Sequence, residues 1–291
     1  MYFMFPAVTS SALTLMHTMV PPYGIVGGNN VIAVASLDND VFIVRYGCPQ
    51  IEVYNADNYA YRFRIIVPGL TKHMCGITAC GRNKCVYLSD EHRNWIHRAE
   101  LSVSGAVKNW WVSMWPQGLS VNNAHNLVVA CCRASTLQEY TTHGTLVREI
   151  RLHAGVTKPG HAIQLPTGDY VVSQCLSPGA VSVVNVGGEV IYSYGPSYTS
   201  DIGQMMYPKS LAVTSNDDIL VSDQMRDRIL SLNRSLSHVH ALTLSVDGGI
   251  QYPSGTCMCL DESRGRLYVV EGTAWLSTSC RVLVFDVTAT P

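Results

Sequence analysis

The chain has 291 residues and a formal net charge of −1, and charged residues make up only 14% of it. A balance this close to neutral excludes a global field that would draw the chain to nucleic acid or an anionic membrane, and the longest apolar stretches fall short of the roughly 18 residues of a membrane-spanning helix. Average soluble proteins contain about 25% charged residues, so the low value indicates strands covered on both faces by neighbouring strands.

The N-terminal segment MYFMFPAVTSSALTLMHTMV is apolar in part but contains no Lys or Arg. A secretory signal requires a positively charged region before its apolar core, so this alternative is disfavoured. Residues 11–20 have the length of a single strand and come directly before the first repeat described below. We therefore expect the segment to be retained as part of the fold.

A phrase of two short strands recurs six times along the chain, as in ILVSDQMRDRILSLN at 219–233. Aligning the copies on the end of their first strand gives a column at intervals of 41 to 49 residues, consisting of Arg45, Asp90, Cys131, Gln174, Asp223 and Glu271. A second column, Pro-x-small-apolar, precedes it, for example PQGLSV at 116 and PKSLAV at 208. Each repeat thus contains a strand after the proline, the two strands of the phrase and a more variable fourth.

Four strands in about 40 to 50 residues, repeated six times, predict an all-β six-bladed β-propeller. We expect one domain over residues 1–291, with blades at about 22–70, 71–115, 116–155, 156–205, 206–250 and 251–286. The sixth repeat is one strand short. We expect residues 11–20 to supply that strand and close the ring, which removes an exposed sheet edge.

The two columns together resemble the NHL repeat, whose members form six-bladed propellers, often at the C-terminus of tripartite-motif ubiquitin ligases. The similarity covers residues 22–286 and is sharpest in the fifth repeat, whereas the third and fourth lack the Asp and Arg of the motif. The resemblance implies a binding module, in some members for single-stranded RNA, acting as the substrate-recognition part of a ubiquitin-ligase system. Repeat similarity indicates fold much more strongly than activity.

The loops that follow the strand-end column form the predicted ligand-binding face, because loops on a rigid scaffold commonly carry function. We expect the ligand to be a protein or a single-stranded RNA. The predicted binding residues on this face are Arg45, Asp90, Arg93, Arg133, Gln174, Asp223, Arg226 and Glu271.

Residues 71–115 contain six basic and three acidic side chains, a balance of +3, and four of the five tryptophans. Basic side chains beside aromatic rings suit single-stranded RNA. The alternative is that the tryptophans pack between blades and the basic side chains are merely solvated.

A metal-dependent enzyme is the alternative from another functional class. Carboxylates of the strand-end column would suit calcium, as in lactonase propellers, but Asp90 and Asp223 belong to blades on opposite sides of the ring. His73 and His161 lie at equivalent positions and suit zinc, as in the amidating-lyase propellers, although no local zinc spacing is present. We therefore expect no catalytic residue, metal or cofactor, with a calcium- or zinc-dependent hydrolase or lyase as the alternative.

The ten cysteines lie mostly inside predicted strands and lack the spacing of a disulfide framework. Neither Cys131-Cys132 nor Cys257-x-Cys259 has the Cys-x-x-Cys spacing that activates a thiol. We expect buried free thiols, a cytoplasmic location, and no membrane or DNA partner.

Overall fold

The structure, a computed structural model, describes residues 12–19, 30–102, 105–153, 155–175, 179–195, 205–226, 228–237, 239–245, 257–271 and 281–287. Within these ranges the chain is almost entirely β-structure, with two 3-10 turns at Gln224–Arg226 and Glu262–Arg264. No helix among the described residues is long and apolar enough to cross a membrane. The proline motif expected at 22–27, the start of the one expected at 253, and Cys280 lie outside the described residues.

The strands form antiparallel four-stranded blades in chain order. The N-terminal strand is β1 (Ala12–Met19). Blade 1 consists of β2 (Val31–Leu37), β3 (Asp40–Arg45), β4 (Gln50–Asn55) and β5 (Tyr61–Ile66). Blade 2 consists of β6 (Met74–Cys80), β7 (Cys85–Asp90), β8 (Trp95–Glu100) and β9 (Val107–Trp111). Blade 3 consists of β10 (Pro116–Val121), β11 (Leu127–Cys131), β12 (Thr136–Tyr140) and β13 (Leu146–Arg151).

The second half of the chain continues the same arrangement. Blade 4 consists of β14 (Pro159–Gln164), β15 (Tyr170–Gln174), β16 (Ala180–Val184) and β17 (Val190–Tyr194). Blade 5 consists of β18 (Pro208–Val213), β19 (Ile219–Asp223), β20 (Arg228–Leu232) and β21 (Val239–Ser245). Blade 6 contains β22 (Met258–Asp261), β23 (Arg266–Glu271) and β24 (Arg281–Asp286). The prediction of an all-β six-bladed propeller is confirmed.

Strand β1 completes blade 6, as the sequence predicted for residues 11–20. It pairs antiparallel with β24, for example Leu15 opposite Phe285, and parallel with β21, for example Leu13 opposite Leu244. The second pairing was not predicted, and it joins blades 5 and 6 into one eight-stranded sheet. The N-terminal strand therefore closes the ring and removes the free edges of both β24 and β21.

Apolar layers between neighbouring blades hold the ring together, one layer for each adjacent pair. The middle strands contribute to the layers on both of their faces, which is why LVVAC in β11 and YVVSQ in β15 are buried at every position. Side chains of strand β1 contribute to two of these apolar layers. Leu13 packs between blades 5 and 6, and Met19 packs between blades 6 and 1.

The first strands of blades 2, 3 and 4 approach one another closely around the central channel. A Cβ atom on Gly76 would lie 2.6 Å from the carbonyl oxygen of Gln117, and one on Gly118 would lie 2.7 Å from that of Gly160. Such distances are incompatible with any side chain unless backbone moves. The small residue of the Pro-x-small motif is therefore required by blade-to-blade packing.

Candidate functional site

The strand-end column lies on one face of the propeller, which we call the top face. In each described blade it bears the loops from second to third strand and the connections to the next blade. Pairing fixes this arrangement, because the start of each first strand lies opposite the end of the second, as Pro116 opposite Cys131 and Pro208 opposite Asp223. The opposite face is called the bottom face.

The carboxylate of Asp90 is fully buried and holds the connection that enters its own blade. It accepts hydrogen bonds from the backbone NH of Thr71 at 3.2 Å, the Thr71 hydroxyl at 2.9 Å and the backbone NH of Arg93 at 3.2 Å. Burial raises the pKa of Asp90, but interactions with His97 and Thr71 outweigh burial and leave the pKa lowered. Asp90 therefore stabilises the loop that presents Arg93.

Asp223 has the same role in blade 5. Its Oδ1 accepts from the backbone NH groups of Met206 and Tyr207, both at 3.0 Å, and its Oδ2 pairs with Arg228 at 3.1 Å. Both column aspartates are thus occupied within their own blades.

The remaining predicted members of the column are also engaged locally. Arg45 is buried and donates to Glu52 at 2.8 Å. Gln174 accepts from the backbone NH of Thr157 at 2.9 Å, and Glu271 forms an ion pair with a neighbouring arginine. The structure does not bring the column side chains together, and among the described residues no three His, Cys, Asp or Glu side chains are placed to hold a metal ion.

The predicted arginines of blades 2 and 3 are exposed on the top face, and each lies over a tryptophan. The Arg133 guanidinium is 3.3 Å from the ring centre of Trp115. That of Arg93 is 5.6 Å from the ring of Trp95 and donates to the carbonyl of Gly69 at 2.9 Å. Arg226 is half-buried in blade 5, across the ring from them.

Basic side chains dominate the top loops of blades 2 to 4. We call the four exposed ones the basic arc, which consists of Lys72, Arg93, Arg133 and Lys158. Glu91 is the single acidic residue in the parts of these loops that the structure describes. The tryptophans of this region have different surroundings. Trp110 packs between blades 2 and 3, whereas Trp111 is exposed and could stack on a ligand.

A polar chain of side chains crosses the top of the central channel. Lys209 donates to Oε1 of Gln117 at 3.2 Å, and the Gln117 amide donates to Glu91 at 2.6 Å. The Cys75 thiol also donates to Glu91, at 2.7 Å. Blades 5, 3 and 2 are thereby linked through side chains alone.

Lys209 and the cysteines of the channel remain in their ordinary charge states. Burial lowers the pKa of Lys209, but the groups around it, among them the Glu91 carboxylate, outweigh burial and leave the pKa raised. Burial raises the pKa of the Cys75 thiol and raises that of the Cys132 thiol to about 11. The ammonium is therefore charged and the thiols are protonated, which makes these cysteines poor nucleophiles. All nine cysteines that the structure describes are free.

Sequence reasoning missed the channel chain, although a signal was present. Cys75, Gln117 and Lys209 occupy the position after the proline column, and Glu91 occupies the position after the strand-end column. In blades 2, 3 and 5 the residues at these positions meet at the channel, so polar residues there indicate channel chemistry.

His161 lies on the channel wall and joins three blades. From blade 4, its Nε2 donates to the carbonyl of Leu119 in blade 3, and its Nδ1 accepts from the NH of Leu211 in blade 5, both at 3.0 Å. Only the neutral ring with its proton on Nε2 satisfies both bonds. Burial lowers the pKa of His161 to about 4. The histidine therefore has a structural role, in which both of its ring nitrogens are engaged by backbone groups of neighbouring blades.

Protonation of His161 is expected to destabilise the fold. Because its folded-state pKa lies below the unfolded value of about 6.5, its contribution is complete above pH 6.5 and is lost as the pH falls toward 4. The full effect is about 3 kcal/mol. We expect His161→Gln, which retains a donor and an acceptor, to lose less stability than the wild type between pH 7.5 and pH 4.5 in urea denaturation. The exposed His143→Gln is the control, and stability curves for His161→Gln parallel to wild type would contradict the expectation.

Comparison with known proteins identifies the architecture and leaves the family open. No protein-family model matches the sequence, and no curated protein matches it. Solved structures do match. The fold shared with them is the six-bladed β-propeller.

Three structures illustrate the match. Virginiamycin B lyase from Staphylococcus aureus has a TM-score of 0.62 at 10% identity, covering 88% of this chain and 94% of that one. A streptogramin B lyase has a TM-score of 0.61 at 11% identity, with 93% and 97% covered. Hydrazine synthase of Kuenenia stuttgartiensis has a TM-score of 0.62 at 11% identity, with 93% and 100% covered. Sequence identities of 10% to 11% establish the fold alone. Membership of the NHL family is not shown, because no family model matches the chain.

Proposed function

We propose that the chain is a non-catalytic binding module that holds an acidic segment of a protein partner across its top face. The observation that carries this proposal is the basic arc, four exposed cations on adjacent blades, with Glu91 as the only acid among the described residues of the same loops. Glu91 accepts bonds from Gln117 and Cys75, so its carboxylate is engaged at the channel. The rim therefore presents positive charge to an approaching partner.

Lys209 also favours a negatively charged ligand. Its ammonium has one hydrogen bond, to the neutral amide of Gln117, and no ion pair with a described carboxylate. Lys209 is half-buried, and a cation there attracts an approaching anion more strongly than a fully exposed one does, because water screens the interaction less. A partner carboxylate at the channel mouth would meet this ammonium while neighbouring acidic residues contact the arc.

A protein partner fits the rim better than single-stranded RNA. Base stacking needs open aromatic faces, whereas the rings of Trp95 and Trp115 lie beneath Arg93 and Arg133, which leaves Trp111 as the one exposed tryptophan among the described residues. The net charge of −1 also gives little long-range attraction for a polyanion. In the cell this module would act in the cytoplasm as the substrate-recognition part of a ubiquitin-ligase system, the role implied by the resemblance to the NHL repeat.

Neutralising the two rim arginines tests the proposal. We expect Arg93→Gln with Arg133→Gln to weaken binding of a twelve-residue Glu- and Asp-rich peptide by roughly fivefold to tenfold, since two exposed charge contacts contribute up to about 1 kcal/mol each. Fluorescence anisotropy at two salt concentrations measures the affinity and its salt dependence. Arg82→Gln with Lys84→Gln, two exposed bases on the bottom face of blade 2, is the matched control and should bind as wild type does.

Two other results would overturn the proposal. Tighter binding of a twelve-nucleotide uridine RNA than of the acidic peptide, lost in the Arg93 and Arg133 variant, would establish the RNA alternative. The second result would be evidence of enzymatic activity, an alternative that the similarity in fold to virginiamycin B lyase favours. Stoichiometric calcium or zinc in the purified protein, together with turnover of quinupristin, the compound bound to a catalytically inactive variant of that lyase, would establish it.

A further inference from the structure

Blade 4 differs from its neighbours at its outer edge. Among the described strands, β5, β9, β13 and β17 each pair with a single strand and so present an open edge to solvent. Charged side chains on an edge strand discourage pairing with another chain. Strands β5, β9 and β13 carry such charges, as in YRFRII, VKNWW and LVREIR, whereas β17 reads VIYSY. Strand β17 is thus the unprotected edge of this set.

The side chains of β17 are apolar and exposed. Val190, Ile191 and Tyr192 are 41%, 43% and 45% exposed. A register shift near the bottom of β17 does not set it apart, because β5 and β13 have an equivalent shift. Its lack of charge is the difference.

An acidic groove of about 520 Å³ lies beside β17, between the bottom loops of blades 4 and 5. Ile191 and Tyr192 line one side, and three half-buried aspartates contribute to the rest. Asp217 pairs with Arg234 at 3.4 Å. Of the other two, Asp169 accepts a hydrogen bond from the Thr167 hydroxyl at 2.9 Å, and neither Asp169 nor Asp218 forms an ion pair with a described residue. The groove therefore combines an apolar wall with two uncompensated carboxylates.

We infer that β17 and this groove bind an extended basic segment of a partner protein, which adds a fifth strand to blade 4. Backbone pairing along an open edge supplies affinity without sequence preference, and side-chain sites supply selectivity. A Lys or Arg of the added strand would lay its aliphatic part on Ile191 and Tyr192 and place its charge near Asp169 and Asp218. The site is independent of the proposed top-face function and selects the opposite charge.

Charge complementarity distinguishes this occupant from a second copy of the chain. Two β17 strands could pair without repulsion, but VIYSY brings no cation to the groove. Successive side chains of a strand point to opposite faces, so a basic residue at every second position would direct its charges to one side. A strand alternating basic and apolar residues is therefore the best match.

Synthetic peptides test the inference on the intact chain. The probe is a ten-residue peptide in which Lys and Val alternate, with a Glu–Val counterpart and a Lys–Val peptide interrupted by proline as comparisons. We expect the first to bind at least tenfold more tightly than either comparison peptide. Asp218→Asn should weaken its binding twofold to threefold, and this loss should disappear at high salt.

Matched substitutions on two outer strands locate the binding. Val190→Lys with Ile191→Lys should reduce affinity for the Lys–Val peptide at least tenfold. The control is Leu146→Lys with Val147→Lys at the equivalent place on β13, where both residues are 48% exposed, and it should bind as wild type does. Circular dichroism melting verifies that both variants fold.

Three outcomes would overturn the inference: equal binding of all three peptides, equal loss in the two lysine variants, or a dimer in sedimentation that the β17 variant abolishes. The last would assign the edge to a second copy. Binding of the acidic peptide to the top face is measured with different residues and a probe of opposite charge. Failure of one site is therefore distinguishable from failure of the other.

Discussion

Leu13→Asp is expected to prevent stable ring closure. Leu13 is 1% exposed and packs in the apolar layer between blades 5 and 6, against residues such as Leu242 and Phe285. A carboxylate buried there without a partner costs several kcal/mol, a large part of the roughly 5 to 15 kcal/mol that stabilises a typical domain. Deleting residues 1–20 should be more severe, because it exposes the edges of β21 and β24 together and unpaired edges associate.

Met16→Asp is the matched control for Leu13→Asp. Met16 lies on the same strand but is 46% exposed, so its replacement should change stability little. Thermal melting and size-exclusion chromatography of both variants and of the truncated chain provide the measurement. A truncated protein that stays monomeric with an unchanged melting temperature would refute the closing role of β1.

Gly118→Ala is expected to destabilise the protein by about 2 to 3 kcal/mol. The new methyl group would lie 2.7 Å from the carbonyl oxygen of Gly160 and 2.8 Å from Cβ of His161, both held by the neighbouring blade. The first strands of blades 3 and 4 must separate to admit it, which also strains the two hydrogen bonds of the His161 ring. The loss exceeds the gain of up to about 1 kcal/mol that Gly→Ala brings by restricting the unfolded chain.

Gly81→Ala provides the comparison for Gly118→Ala. Its added methyl group would meet only the end of the Leu37 side chain, at 3.1 Å, which can move aside. Chemical denaturation of both variants should show a loss for Gly118→Ala alone. Equal stabilities of the two variants would mean that the first strands of blades 3 and 4 separate at a lower cost in free energy than their close spacing indicates.

The sequence was sufficient for the blades because each one repeats two columns of residues, and the incomplete sixth repeat indicated where its missing strand came from. The parallel pairing of β1 with β21 could not be predicted. Strand patterns reveal which strands belong to a blade, but they contain no information on how the outer edges of two blades meet.

The candidate site was harder to predict than the fold. Asp90 and Asp223 attracted attention as carboxylates on a loop face, yet both accept hydrogen bonds from their own blades. Residue type alone does not distinguish a ligand-binding carboxylate from one that caps a turn. Lys209, Gln117 and Glu91 come together because the ring curves, so their proximity could be inferred only from the repeat positions that they occupy and not from their spacing along the chain.

Closure by β1 also sets a time order for biosynthesis. Leu15 pairs with Phe285, 270 residues later in the chain. At synthesis rates of about 5 to 20 residues per second, the N-terminal strand waits roughly 14 to 54 s for its antiparallel partner to be made. During that interval an apolar strand is available to any open edge, including that of another nascent chain on the same messenger RNA. Chaperone protection of the first twenty residues should therefore influence the yield of this protein more than that of any later segment.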